Sequence, residues 1–221
     1  MIKTFGNIFK IPELRKRVFF TLGILVVFRV GSQIPTPGID GKAWSDLFQQ
    51  AAGTLFGLYN MFVGGAFEKA TVFSLGIMPY ISASIIIQLL GAVVPYFQRL
   101  HKEGEEGRRK ITQYTRYGTV LIGALQALGT AVYLEGANNA QAGIIVVPNP
   151  GIGFKLLTML TFTCGTIFIM WLGEKITEKG IGNGISLIIF IGIVARLPST
   201  IIDEVKFLFG GQRNFFTEVF L

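Results

Sequence analysis

Cysteine and histidine are almost absent from this sequence of 221 residues, which holds one of each, Cys164 and His101. A single cysteine cannot form a disulfide within the chain, so cysteine usage gives no information about the redox compartment. Metal clusters and cysteine nucleophiles need several such side chains close together. We therefore predict no catalytic residues, no metal site and no cofactor, and we do not expect an enzyme.

Charged residues are also scarce, since they make up 15% of the chain, while hydrophobic residues make up 51% and the mean hydropathy is +0.56. This composition is typical of a membrane protein with several spans. The formal net charge of +7 does not indicate nucleic-acid binding, because the basic residues cluster between apolar runs. No predicted span carries an acidic residue or a lysine near its middle, which disfavours intramembrane proteases and proton-coupled transporters.

The apolar runs predict an all-α polytopic membrane protein with five transmembrane helices and one short apolar half-helix. The basic N-terminus leads into the first run without a signal-peptide cleavage site, so we interpret that run as a retained helix. Near its outer end, Arg29 can pair within the bundle or snorkel to the interface, and we favour snorkelling. The predicted elements are the first helix (18–34), the half-helix (54–67), the second (70–94), third (117–134), fourth (154–173) and fifth (181–197) helices, and the start of a sixth (214–221).

The stretch 54–94 is the most unusual part of the chain. Its first part, 54–67, has no charge, but it is interrupted by glycines and is shorter than the about 20 residues that span hydrocarbon. Glu68 and Lys69 separate it from the uncharged run 70–94, which is long enough to cross. Irregular backbone at membrane depth is tolerated only where protein encloses it or where it lines a cavity. We therefore expect this stretch to line a pathway through the protein.

Lysine and arginine are unevenly distributed among the segments that flank the predicted spans. The N-terminal segment, a charged loop predicted over 95–117 and the turn 174–179 hold 13 of them. The alternate segments, 32–75, 135–155 and 196–213, hold 6. Because cytoplasmic segments carry the excess of positive charge, the N-terminus is predicted to lie in the cytoplasm.

Isoleucines recur at helical spacing in two of the predicted spans. Ile77 and Ile81 lie four residues apart in the second helix, and Ile185 and Ile189 repeat this spacing in the fifth, so each pair shares a helix face. Periodicity alone favours ordinary lipid or core contacts. The alternative is a ring of branched apolar side chains that closes a water-filled pore.

Two polar segments also allow alternative interpretations. GIGNGIS at 180–186 has the glycines of a phosphate-binding loop, but no strand precedes it and no Lys-Ser/Thr follows, so a tight hairpin is favoured. KEGEEGRRK at 102–110 mixes charges of both signs and is typical of a solvated cytoplasmic turn. The alternative for this segment is a docking surface for a soluble partner, because Arg108 and Arg109 suit carboxylate or phosphate groups.

Four long blocks of the sequence are specific enough to indicate a family. They are FRVGSQIPTPGID, NMFVGGAFEKATVFSLGIMPYISASIIIQLL, KEGEEGRRKITQYTRYGT and MWLGEKITEKGIGNGISLIIFIGIVA, and they extend over nearly the whole chain. In this order they resemble the SecY family, the protein-conducting channel subunits of the bacterial Sec translocon. The resemblance implies the first half of an inverted-repeat channel of ten membrane helices, with helices one to five and the start of the sixth.

The resemblance also implies roles for particular residues. Ile77, Ile81, Ile185 and Ile189 would belong to the ring that narrows the pore. The second and third helices would form one side of a lateral gate toward lipid. The half-helix would contribute the plug that seals the pore from outside, and the plug residues would be Phe56, Gly57, Leu58, Tyr59, Asn60, Met61, Phe62, Val63, Gly64 and Gly65.

Further implied sites concern the gate and the partners. Ser82 and Gln88 would be polar gate residues, and Arg108 and Arg109 would dock a partner. The family implies a central pore-forming subunit of the Sec translocase, which passes unfolded preproteins across the bacterial inner membrane and releases membrane helices into lipid. Expected partners are SecE, SecG, the SecA motor ATPase, the ribosome, preproteins with signal sequences and membrane lipid, with ribosomal RNA as the only nucleic acid contacted.

The number of helices sets a limit on what this chain can do alone. Five helices cannot enclose the pore or complete the gate, so we expect the C-terminal half of the same protein to complete both. The alternative function is half of an inverted-repeat secondary transporter for small solutes. That alternative predicts buried charged or strongly polar groups near mid-membrane, which the sequence does not supply.

Overall fold

A computed structural model describes residues 11–50, 55–140 and 145–195, together with the single residues 197 and 202. Over these ranges the chain is helical, apart from turns and an isolated bridge between Pro35 and Thr71. The predicted all-α class is therefore confirmed for them, whereas the predicted helix start at 214–221 lies outside the described residues. The helices, numbered in chain order, are α1 (Pro12–Gly31), α2 (Gly41–Gln50), α3 (Leu55–Phe62), α4 (Met78–Val93), α5 (Pro95–Lys102), α6 (Glu105–Ala140), α7 (Ile152–Lys179) and α8 (Gly184–Val194).

Prolines lie in the first turns of three helices, α1, α4 and α5. In that turn a missing N–H donor removes no helical hydrogen bond. Pro95 also favours an extended conformation for the preceding residue, Val94 (φ −93°, ψ 122°), which ends α4. The axes of α4 and α5 consequently differ by 98°.

Several predicted element bounds differ from the structure, most clearly those of the charged loop and of the second helix. The charged loop predicted over 95–117 is mostly helix, because α5 occupies its first part and α6 begins at Glu105. Acidic residues in the first turn of α6 favour that start through the helix dipole. The second helix, predicted over 70–94, begins only at Met78. Before it, side chains bind the backbone locally, as in the bond from Ser74 Oγ to Thr71 O at 2.6 Å, and such bonds compete with helix formation.

Two helices in the described part of the chain are long and apolar enough to cross a membrane, α7 and the range Glu105–Asn138 of α6. The bent pair of α4 and α5 makes a third if it counts as one span. The α8 helix is apolar but has 11 residues, and α1 has basic residues near both ends. The number of five spans therefore stays a prediction.

The α7 helix is central, because it packs against α6, α8, α1 and α4. Its buried residues extend from Phe154 to Ile176, along most of its length. Gly165 allows an especially close approach, since a Cβ at this position would collide with the carbonyl oxygen of Val72. This contact holds the turns that precede α4 against the helical bundle.

A second apolar cluster joins α2, the end of α6 and the segment before α7. It contains Trp44, Phe48 and Phe67, and it packs around Val146 and Val147. Asn138 fastens this segment, because its Oδ1 accepts hydrogen bonds from the N–H groups of Val146 (2.8 Å) and Val147 (3.0 Å). Tyr59 of α3 packs against this cluster and against a larger apolar cluster of α1, α7 and α8, which contains Phe28, Ile169 and Ile188, so α3 lies between the two.

Candidate pore and plug site

The predicted plug, residues 56–65, consists of most of α3 and the turn after it. Asn60 is fully buried and holds the segment in a hairpin. Its Oδ1 accepts a hydrogen bond from Glu68 N at 3.1 Å, and its Nδ2 donates to Glu68 Oε2 at 3.0 Å. Its carbonyl oxygen also accepts from Gly65 N at 2.9 Å. An amide group with both ends hydrogen-bonded can be buried without an unsatisfied polar atom.

Glycines bring the turn of the plug close to two other elements. Gly64 has a φ of +72°, and a Cβ at this position would lie 2.9 Å from the Cα of Gly192 in α8. Gly76 has a φ of +56°, and a Cβ there would lie 3.1 Å from the side chain of Val63. Both positions favour glycine, because left-handed backbone is strained for other residues. The turn therefore contacts α8 and the residue that precedes Ile77.

Arg29 of α1 makes a third contact with the turn. Its Nη1 donates a hydrogen bond to the carbonyl oxygen of Gly64 at 3.2 Å, and its side chain is half-buried. A charged donor makes such a bond stronger than one between neutral groups. Arg29 consequently pairs within the bundle, and the favoured interpretation of snorkelling is wrong.

The four isoleucines that the sequence singled out pack into one apolar cluster. Ile77 is buried within it, whereas Ile81, Ile185 and Ile189 are half-buried and pack against it. Val63 of the plug turn belongs to the same cluster. The structure therefore brings together residues from α4, α8 and the plug. Three of the isoleucines keep part of their surface uncovered by the described residues.

The two isoleucine pairs differ in local geometry. Ile77 is the N-cap of α4 and not an internal helical residue, so the prediction that it lies within the second helix is wrong. Ile81 N still donates to Ile77 O at 3.1 Å, which keeps the two residues one turn apart. Ile185 and Ile189 both lie inside α8. The turns that end at Ile77 replace the helix that the uncharged run predicted.

The plug presents apolar side chains outward and its amide inward. Phe56, Leu58, Met61 and Phe62 are between 41% and 58% exposed, whereas Asn60 is 0% exposed. This arrangement is the reverse of the pattern in a water-soluble protein. Exposed apolar side chains clustered on one short helix are normally covered by lipid or by another protein surface.

Ser82 lines a cavity of about 650 Å³ between the plug, α4 and α6. Aromatic rings form much of the wall, and Phe56 stacks on Phe67 and on Tyr133 at ring-centroid distances of 6.3 and 5.5 Å. Ser82 is half-buried there. The remaining lining residues are Tyr59, Leu75, Met78, Gln126, Gly129 and Thr130.

Gln88 lines a different cavity, of about 260 Å³, with Ile81 and Ile185 in its wall. Its Nε2 donates to Ser84 Oγ at 3.1 Å, one helical turn earlier. Gln88 is therefore on the face of α4 that carries Ile81. The structure does not bring Ser82 and Gln88 together, because they line different cavities.

Arg108 and Arg109 lie at the start of α6 with exposed side chains. Within the described ranges neither forms an ion pair, whereas the neighbouring Lys110 pairs with Glu103 at 3.6 Å. Two uncompensated guanidinium groups side by side can accept a carboxylate or phosphate from a partner. Their role in docking stays a prediction.

The described residues contain no group of three or more His, Cys, Asp or Glu side chains that could hold a metal ion. His101 folds back over Gly91, where a Cβ would lie 2.6 Å from its Nε2. Cys164 is free and exposed on α7.

Sequence reasoning missed two polar contacts, one between α6 and α7 and one within the plug hairpin. Arg116 of α6 binds Glu174 of α7 through two hydrogen bonds, of 2.9 and 2.8 Å. Asn60 binds Glu68, as described above. Asn60 had a signal, because it is the only side-chain amide in the uncharged stretch 54–67. The partners Arg116 and Glu174 are separated by 58 positions and had none.

Comparison with known proteins places the chain in a family. A family model described as SecY matches residues 71–221. The protein translocase subunit SecY of Escherichia coli strain K12 is 51% identical over 203 residues, which are 92% of this chain and 45% of that protein. The corresponding subunit of Aquifex aeolicus strain VF5 is 50% identical over 197 residues, which are 89% of this chain and 46% of that protein.

Solved structures agree in fold. One described as the structure of a protein conducting channel aligns with a TM-score of 0.55 and 19% sequence identity, and the match covers 82% of this chain and 36% of that one. The chain spans about half the length of the curated relatives it matches. These matches are to translocase subunits and channels, so the alternative of a solute transporter is not supported. The chain belongs to the SecY family.

Proposed function

We propose that this chain is the first half of a SecY-type channel that passes unfolded polypeptides across a membrane and releases membrane helices into lipid. The observation that carries the proposal is the shared cluster of Ile77, Ile81, Ile185 and Ile189 with Val63 of the plug. In the assembled channel these isoleucines form half of the pore ring. The other half of the ring comes from the C-terminal half of the protein.

The ring works because of the shape and chemistry of isoleucine. Branched aliphatic side chains fit around a passing polypeptide without a specific hydrogen bond, so they accept any sequence. When the pore is empty they close on one another, and a dry apolar constriction excludes water and ions. The partial exposure of Ile81, Ile185 and Ile189 supports this role, since a ring residue needs a free surface that faces the pore.

The plug adds a second seal next to the ring. Val63 packs in the same cluster as the isoleucines, and Gly64 contacts α8 at Gly192, one turn beyond Ile189. The exposed apolar face of the plug is covered by the second half of the protein in the closed channel. A passing polypeptide displaces the plug from this seat.

Opening toward lipid requires the two halves to separate at a lateral gate, which α4 and α6 form on this side. An incoming apolar signal helix replaces packing between the halves, so its binding energy biases the closed-to-open equilibrium. The cavity of about 650 Å³ between α4, α6 and the plug supports this proposal, because its wall is mostly apolar. Ser82 contributes a polar group inside this cavity, and Gln88 contributes one on the face of Ile81.

Family membership and the charge distribution support a proposal for the wider assembly. The excess of lysine and arginine near α5, the start of α6 and the N-terminus supports a cytoplasmic position for these segments in a bacterial cell, with the helices in the inner membrane. SecE and SecG complete the membrane complex, and SecA or the ribosome drives the polypeptide. One solved structure of similar fold is described as Sec61 in a canine ribosome–channel complex, and it supports the ribosome as a partner in general.

Removal of the plug tests the proposal. In the complete translocase in planar bilayers, deletion of residues 54–67 should raise the resting ion conductance, because the outer seal is lost while the pathway remains. Cys164→Ser is a suitable control, since this side chain on α7 is exposed and does not belong to the apolar cluster of the plug and the ring. A resting conductance equal to that of the intact complex would contradict the proposal, because a scaffold or a solute transporter has no such pathway.

A further inference from the structure

An ion pair with two hydrogen bonds joins α6 to α7. Arg116 Nε donates to Glu174 Oε1 at 2.9 Å, and Arg116 Nη2 donates to Glu174 Oε2 at 2.8 Å. The Glu174 side chain is 15% exposed and the Arg116 side chain 47% exposed. Two parallel charge-assisted bonds fix the orientation of both groups, because the planar guanidinium fork matches a carboxylate.

This ion pair lies beside the pore ring. Arg116 and Glu174 line a cavity of about 340 Å³ whose wall also contains Ile185 and Tyr80. Tyr80 immediately precedes Ile81 in α4, and Ile185 is the first ring residue of α8. The cavity therefore connects the ion pair with both helices that carry the ring.

Ile185 rests on the residue next to Glu174. A Cβ on Gly173 would lie 2.5 Å from Ile185 Cδ1, so the isoleucine side chain occupies the space that glycine leaves free. Thr177 ties the two helices together at the same place, because its Oγ1 donates to Gly173 O at 3.0 Å and accepts from Gly184 N at 2.9 Å. A rotation of this end of α7 would therefore move the surface at Gly173 against which Ile185 packs.

We infer that Arg116 and Glu174 are positioning residues that hold Ile185 in the closed pore ring. The ion pair fixes the end of α7 to α6, and α7 in turn holds the start of α8 through Gly173 and Thr177. Neither charged group needs to touch the translocating polypeptide. This inference rests on the proposed function, since it assumes that Ile185 closes a pore.

The chain offers a matched control at the opposite end of the same two helices. Lys155 of α7 pairs with Glu135 of α6 at 3.0 Å, and their side chains are 35% and 16% exposed. This pair has nearly the same burial as Arg116–Glu174 and joins the same helices, but it contacts none of the ring residues among the described residues. Loss of either pair should thus lower the stability of the fold by a similar amount. Only the loss of Arg116–Glu174 should change the ion conductance of the pore.

The experiment compares Arg116→Gln, Glu174→Gln and Lys155→Gln in the complete translocase. Resting ion conductance in planar bilayers and thermal unfolding are measured for each variant, together with Ile185→Gly and the double variant Arg116→Gln/Ile185→Gly. We expect Arg116→Gln and Glu174→Gln to raise the resting conductance about two- to five-fold, the factor by which a partly exposed ion pair biases an equilibrium. Lys155→Gln should lower the unfolding temperature equally and leave the conductance unchanged.

The double variant separates positioning from general loosening. If Arg116 acts through Ile185, the conductance of Arg116→Gln/Ile185→Gly should equal that of Ile185→Gly alone. The inference would be overturned if the leak of the double variant were the sum of the two single leaks, or if Lys155→Gln leaked as much as Arg116→Gln. Neither result would contradict the proposed function. If Ile185→Gly itself does not leak, the proposed function fails and the inference falls with it. If Arg116→Gln fails to assemble, Glu174→Gln decides, because it keeps the shape and one acceptor of the carboxylate.

Discussion

Gly64 of the plug turn and Gly192 of α8 touch through their backbones, and a Cβ on Gly192 would lie 3.1 Å from Phe62 O and 3.5 Å from Gly64 N. The contact leaves no room for a side chain from either partner. It fixes how deeply the plug sits against the helix that carries Ile185 and Ile189. Close backbone packing of this kind is how glycine-containing membrane helices approach other elements.

Gly192→Ala should therefore push the turn of the plug away from α8. The methyl group meets backbone atoms of the plug, which cannot rotate away as a side chain can, so the turn has to move by a few tenths of an ångström. We expect a measurable rise in resting conductance of the complete channel. Gly23→Ala is the control, because a Cβ there meets nothing within 4 Å. Equal conductance of the two variants would contradict the role of this contact.

Ile81→Gly should open the ring itself. The substitution removes a half-buried side chain that packs against the cluster of Ile77 and Val63, at a cost of about 1 to 3 kcal/mol of apolar packing. The constriction should become wider and wetter, and ion leak should rise. Ile86→Gly is a matched control on the same helix, with a side chain that is 48% exposed, and it should lose similar helix propensity without a leak. If the ion leak of Ile81→Gly equals that of the unmodified channel, Ile81 is not part of the pore ring.

Asn60→Ala should loosen the plug. The substitution leaves Glu68 without two hydrogen bonds in a partly buried site, which costs about 1 to 3 kcal/mol. Limited proteolysis of the turn after α3 should become faster, and the plug should be displaced more easily by a preprotein. Met61→Ala, which truncates an exposed side chain on the same helix, should have a much smaller effect on proteolysis. Equal protection of the two variants would argue against Asn60 as the anchor.

Arg108→Glu with Arg109→Glu should weaken partner-driven transport. Both side chains are exposed at the start of α6, so the reversal should leave the fold intact while repelling an acidic or phosphate-bearing partner. We expect weaker SecA or ribosome binding by about 1 to 2 kcal/mol, roughly tenfold in the dissociation constant, with the difference shrinking at high salt. Lys179→Glu, an exposed reversal at the end of α7, serves as the control. Unchanged binding and export would contradict a docking role, and the arginines would then serve only to orient the chain in the membrane.

Hydropathy and local spacing predicted much of this arrangement. The uncharged runs indicated α6, α7 and α8, because a long apolar segment has few alternatives to a helix in lipid. The same rule failed over 70–77, where Thr71 and Ser74 bind the backbone locally and hold turns in place of a helix. Overall polarity could not distinguish these residues from the helix that follows.

The contacts of Arg29 and Arg116 could not be predicted, because they depend on tertiary geometry. A single arginine near a helix end is compatible with the interface, and only the position of Gly64 O shows that Arg29 turns inward. The meeting of α4, α8 and the plug likewise depends on glycine contacts between distant segments. Spacing within one helix indicates a shared face, but it does not say which other helix that face meets.

The hairpin of the plug is held mostly by bonds within itself, including those between Asn60 and Glu68 and those from Thr71 and Ser74 to Ala66 O. It is also linked to its surroundings, through Arg29 and Gly192 and through the hydrogen bond from Trp44 Nε1 to Phe67 O at 2.8 Å. Because those internal bonds do not depend on the surroundings, we expect a plug displaced by a polypeptide to keep its hairpin and to return without refolding. The return of the plug to its closed position should then be fast, which would limit the leak of ions between one translocated polypeptide and the next.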